Sequence, residues 1–101
     1  MSDTAEPIGP VAFAVSFPPE ARFAATAGDL AARLASVCGC APGAAEEVRG
    51  AVNRAFGETL AWAAAGGNGI DVTLRTDNGA FEADVTCAGR AVLHCSKTRS
   101  V

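Results

Sequence analysis

Ile70-Asp71-Val72-Thr73-Leu74-Arg75-Thr76-Asp77-Asn78-Gly79-Ala80-Phe81-Glu82-Ala83-Asp84-Val85-Thr86-Cys87 is the stretch that decides the fold. Ile70, Val72, Leu74 and Thr76 alternate with Asp71, Thr73 and Arg75. Phe81, Ala83, Val85 and Cys87 alternate in the same way with Glu82, Asp84 and Thr86. Successive strand residues point to opposite faces, so each run reads as a strand with one apolar and one wet face. Between them, Asp77-Asn78-Gly79 supplies residues that tolerate positive φ. The whole is a β-hairpin, half buried and half solvated.

Working outward, Gly66-Gly67-Asn68-Gly69 stops a helix just before the hairpin. It is no phosphate cradle, because phosphate loops feed a helix N-terminus and this one feeds a strand. The helix it closes runs from Glu46 to Ala65, with Glu46 and Glu47 at its positive end. Val48, Val52, Ala55, Phe56, Thr59 and Ala63 mark its buried face. Arg54 and Glu58 sit four apart, roughly 110–150° around the helix from that stripe, so they face a neighbouring surface. Their simplest reading is a helix-surface ion pair.

Cys40-Ala41-Pro42-Gly43 forms a turn, and Gly39 ends an earlier helix. Pro18-Pro19 open that helix, with Glu20 complementing its dipole. Phe23, Ala27, Leu30, Leu34 and Val37 make one apolar stripe, while Asp29 and Arg33 pair on the outside. Before it, Val11, Phe13, Val15 and Phe17 alternate with Ala12, Ala14 and Ser16, which predicts a strand with one buried face. After the hairpin, Ala91 to Cys95 add a short strand. The order predicts an α+β two-layer sandwich, two amphipathic helices on a mainly antiparallel sheet. Residues 1–9 are a flexible lead-in, 10–96 a single domain and 97–101 a charged tail.

Composition fits one small domain. A chain of 101 residues buries roughly 60–70% of its unfolded surface. Half the residues are hydrophobic but only 6% are aromatic, so alanine-lined helix contacts replace a bulky core. A net charge of -3 without a Lys/Arg cluster argues against tracking a phosphate backbone, hence no nucleic-acid partner is expected. The N-terminus lacks the features of a signal peptide, and no window reaches the roughly 18 apolar residues of a membrane span. A cytoplasmic location follows as the expectation, with Cys38, Cys40, Cys87 and Cys95 as reduced thiols.

One helical segment adds a resemblance. Ala51-Val52-Asn53-Arg54-Ala55-Phe56-Gly57-Glu58-Thr59, followed directly by the hairpin, resembles the site helix of the anti-sigma-factor serine kinases. These belong to the histidine-kinase-like (GHKL) ATPases. The likeness runs from about Val11 to Gly89 and includes Phe17-Pro18-Pro19-Glu20 and the turn at Pro42. In that family this helix carries Glu-x-x-x-Asn, the Glu acting on the attacking group and the Asn binding Mg²⁺. Arg54 and Glu58 stand at those positions. A guanidinium does not deprotonate in proteins, so Arg54 cannot be a general base. The family's adenine-binding Asp-x-Gly is matched by Cys87-Ala88-Gly89, which keeps the glycine and loses the carboxylate acceptor. The family's nucleotide lid and second glycine-rich box have only Arg90 to Val101 to occupy here.

The resemblance therefore implies a histidine-kinase-like fold with a degenerate ATP pocket at Arg54, Glu58, Cys87 and Gly89. It implies regulation by protein contact: partner switching in bacterial transcription control, with a sigma factor or anti-sigma antagonist as partner and room for a homodimer. Cofactors are not expected under this reading, and no catalytic residue is assigned. The alternative is a divergent serine kinase that still binds ATP and Mg²⁺, with Glu58 toward the metal. A second alternative uses Cys38-x-Cys40 with Cys87, His94 and Cys95 as a thiol or zinc sensor, although one residue between two cysteines is tight for a zinc knuckle. Trp62 near the helix end is packing or an interface anchor.

Overall fold

The computed structural model describes residues 11–77 and 79–98. Strand β1 (Val11–Phe17) leads through a turn into α1 (Phe23–Val37) and α2 (Pro42–Gly66). Three strands follow, β2 (Ile70–Asp77), β3 (Ala80–Cys87) and β4 (Arg90–Thr98). They form one sheet in the order β1-β2-β3-β4, antiparallel throughout. Both helices cover one face of it, so the molecule is a two-layer α+β sandwich.

The hairpin forms as its alternation dictates. Asp77 pairs with Ala80, leaving two residues at the tip, of which Gly79 takes φ 82° and Asn78 lies outside the described residues. Ile70, Val72, Leu74, Phe81, Ala83, Val85 and Cys87 all point into the core. A second tight turn joins β3 to β4. Ala88 (φ 53°) and Gly89 (φ 80°) are both left-handed, the requirement of a two-residue turn matched to strand twist. The last strand is longer than the expected Ala91 to Cys95. Pairing of Ala80 with Thr98 and Phe81 with Lys97 carries it into the segment expected to be tail, of which 99–101 lie outside the described residues.

Helix α2 starts at Pro42, four residues before the expected Glu46, because proline suits a helix's first position. Pro42 and Gly43 are therefore helix rather than turn, and Glu46 and Glu47 lie beyond the first turn. The buried face is as read, with Val48, Val52, Ala55, Phe56, Thr59 and Ala63 all buried. Thr59 is tolerated there because its hydroxyl donates to the Ala55 carbonyl at 2.7 Å. Gly67, at φ 69°, closes the helix, its N–H reaching the Ala64 carbonyl and that of Asn68 the Ala63 carbonyl.

Helix α1 departs from its reading in three ways. It begins at Phe23, not at the prolines. Pro19 disfavours helical backbone at Pro18, and the chain turns first through a 2.8 Å bond from the Glu20 N–H to the Pro18 carbonyl. Its buried face is Ala27, Gly28, Ala31, Ala32 and Ala35, whereas Leu30 and Leu34 are half-buried and Val37 is 81% exposed. The cause is the approach of the two helices: a Cβ on Gly28 would lie 2.9 Å from the Arg49 carbonyl oxygen. Only small side chains fit that seam, so the large ones are turned sideways. Finally, Asp29 pairs with Arg49 of α2 instead of Arg33, since the same close crossing brings Arg49 to it.

The expected buried face of β1 also holds only in part. Phe17 is core, packed edge-on against Phe56 at 5.7 Å between ring centres, Val15 is half-buried and Phe13 is 47% exposed. As the outermost strand, β1 runs out from under α1 toward its Val11 end. The sheet face away from the helices is polar and cross-linked between strands. Arg75 bridges Glu82 at 2.6 Å and Asp84 at 3.0 Å, and His94 Nδ1 meets Asp84 at 2.6 Å. No described helix is long and apolar enough to cross a membrane.

Candidate functional site

Arg54 and Glu58 project from the outer side of α2, away from the sheet, and both are exposed. They face solvent rather than the neighbouring surface expected from their angle. Nor do they pair: the ion pairs of the described residues do not include them. The order Arg-then-Glu is the weaker one along a helix, and an exposed pair yields only a few tenths of a kcal/mol, too little to hold two long side chains.

Around them the helix surface is bare. Gly43, Gly50 and Gly57 are exposed, and a Cβ added at any of the three meets nothing within 4 Å. Ala61 and Ala64 continue that surface, whereas Ala51 is half-buried and Ala55 is core. The seven-residue spacing of the glycines places them along one side of α2, since seven residues are close to two helical turns. The sequence analysis did not single out these glycines, although their spacing is visible there.

Cys87 and Gly89 stand elsewhere. The Cys87 side chain is fully buried at the end of β3, and Gly89 is the second residue of the two-residue turn into β4. The chain reverses at once into the sheet, so Ala88 and Gly89 are the whole connection. Helix α2 separates the buried thiol from Arg54 and Glu58 on its far side. None of the four positions matched to a nucleotide pocket lines the concavities beside Phe13, Trp62 or Ala32.

The remaining cysteines are dispersed. Cys40 is core, Cys38 and Cys95 are half-buried, and none of the four thiols forms a disulfide among the described residues. Among the described residues, no group of three or more His, Cys, Asp or Glu could hold a metal ion. One charged contact joins layers. Lys97 of β4 donates to Glu47 of α2, and this bond, helped by the positive charge, holds the Glu47 carboxyl below its ordinary range. The same bond raises Lys97 against the opposing effect of burial, with the Glu47, Cys95 and Cys40 charges adding to the rise.

The most apolar concavity lies between α1 and the sheet, near the hairpin tip. It encloses about 240 Å³ and is lined by Phe13, Leu30, Leu34, Cys38, Leu74 and Phe81, with Arg75 and Thr76 at its margin. This is where the displaced large side chains of α1 come to rest. At the opposite end of the molecule, the Arg90 guanidinium stacks over the Trp62 ring at 5.4 Å, which makes Trp62 partly a packing residue against β4. Comparison with known proteins finds no match: no family model, no curated protein and no solved structure is similar to this chain at a significant level.

Proposed function

We propose that this domain is a cytoplasmic regulatory module that works by protein contact. In this reading it resembles the anti-sigma-factor kinases in layout, and a sigma factor or its antagonist is held and released without phosphoryl transfer. The observation that carries the reading is the outer face of α2. A glycine inside a helix costs roughly 1 kcal/mol relative to alanine. Gly50 and Gly57 incur that cost where nothing among the described residues requires a missing side chain. A partner helix lying along α2 would require it, because glycine lets two backbones approach. Arg54 and Glu58, exposed and unpaired beside the strip, offer one charge of each sign for orienting such a partner.

Titration calorimetry of Mg-ATP and Mg-ADP into the purified protein tests the reading against the kinase alternative. The Arg54→Glu/Glu58→Asn variant is run alongside. The expected result is no heat of binding for the wild type. Micromolar binding would overturn the contact-only reading and put a divergent kinase in its place.

A further inference from the structure

The two edges of the sheet are unlike. Strand β4 carries Arg90, His94 and Lys97, and meets β3 through a register shift at Val85/Thr86. Those are the usual devices that blunt an edge, since an unpaired row of N–H and C=O groups is a template for another strand. Strand β1, Val-Ala-Phe-Ala-Val-Ser-Phe, has none of them. It holds no charge and no proline, and its register with β2 is continuous from Val11 to Phe17. Among the described residues no strand pairs with its outer edge, and beside that edge α1 turns Leu30 and Leu34 toward the groove that Phe13 borders, while Val37 is 81% exposed.

We propose that β1 pairs with β1 of a second copy, antiparallel about a two-fold axis through Ala14. The two four-stranded sheets would join into one of eight strands, with the two α1 helices alongside each other over the seam. The occupant follows from the strand itself. In the register centred on Ala14, position 13 meets 15, 11 meets 17 and 12 meets 16, so all seven residues are paired. In the strand sequence the odd positions, which pair with one another, are all apolar, and the even ones are all Ala or Ser. A two-fold places any charge opposite its own copy, and this strand has no charge to repel. A foreign partner selected by charge would find nothing on β1 to read.

Size sets the strength. The strand is about 23 Å long and α1 about 22 Å. Their combined edge offers a few hundred Å² per copy, below the roughly 800 Å² of a standard interface. The dimer should therefore be concentration-dependent, with a dissociation constant in the micromolar range. This inference does not depend on the regulatory reading, which concerns the other side of the molecule.

Sedimentation equilibrium from about 1 to 200 µM, spanning the expected constant, tests it. The wild type should shift from monomer to dimer. Ala14→Lys sets two ammonium groups face to face at the axis and should weaken the dimer at least tenfold, as should Phe13→Lys. His94→Lys, on the other edge, should leave it unchanged. Positions 13 and 14 are exposed, and circular dichroism verifies that both variants fold. Hydrogen exchange of wild-type β1 amides should slow as concentration rises. A wild type that stays monomeric throughout overturns the proposal. So does a dimer indifferent to both β1 substitutions, or one broken by Phe13→Lys but not by Ala14→Lys.

Discussion

A methyl group at position 28 has nowhere to go. The Cβ of an alanine there would stand 2.9 Å from the Arg49 carbonyl oxygen and 3.5 Å from the Asn53 Cβ. The first neighbour is backbone of a helix that is itself packed on the sheet, so the two helices would have to part. Alanine in mid-helix normally gains about 1 kcal/mol over glycine. Overpacking at this seam opposes that gain and should exceed it, because parting the helices loosens Ala27, Ala31 and Ala35 together. Gly28→Ala is expected to destabilise the fold by about 1–2 kcal/mol net, read as a lower urea midpoint at unchanged slope. A midpoint at or above the wild type would show that the crossing has slack.

The same substitution has the opposite sign elsewhere on the helices, which makes α2 informative as an element. Gly50 and Gly57 are helical, and a methyl group added at either meets open space. Gly50→Ala and Gly57→Ala should each stabilise the free protein by about 0.5–1 kcal/mol. If a partner helix uses this face, the double variant should bind that partner more weakly while melting at a higher temperature. Stability and binding moving together would count against the docking role. Element scale is also where the sequence was read well or badly. Although α2 starts at Pro42 and not at Glu46, its buried face was legible to the residue because it has one apolar stripe, Val48 to Ala63, backed by glycine, alanine and charge. Helix α1 was not, because it has two. Periodicity ranks Leu30, Leu34 and Val37 above alanine as core formers, and cannot know that Gly28 brings a second helix close enough to reverse the ranking. The hairpin was legible for the reason α2 was: a single alternation with a turn that fits it. Of the positions matched to a nucleotide pocket, Arg54 and Glu58 fall on α2, Cys87 ends β3 and Gly89 lies in the turn after it. Alternation already put Cys87 on the apolar face, where it is core, whereas the solvent-facing position of Arg54 and Glu58 depends on what lies over α2, and no local spacing encodes that.

For the whole molecule, the layers are held together chiefly by apolar packing, and the Lys97–Glu47 contact is an ion pair that crosses from helix to sheet. Its pH signature can be worked out by sign. The Glu47 carboxyl is held below its ordinary value in the folded chain, so its contribution is complete above about 4.3, the unfolded value, and is lost as pH falls through the lower folded one. The Lys97 ammonium is raised, so its contribution is complete below about 10.4 and is lost as pH rises through the higher folded value. Lys97→Met keeps the stem that lies along the sheet and removes the charge. The melting temperature of this variant should fall below that of the wild type between about pH 5 and 10, the range set by those two values. The difference should close as pH falls through the lowered folded value, below which Glu47 is protonated in both states. It should also shrink in about 1 M salt, because Glu47 is exposed and its partner only partly covered. A deficit that persists unchanged at acid pH would mean that Lys97 acts through its aliphatic stem and not through its charge. The end of β4 would then be secured by burial, like the rest of the sheet, and the ion pair would merely sit on top of it.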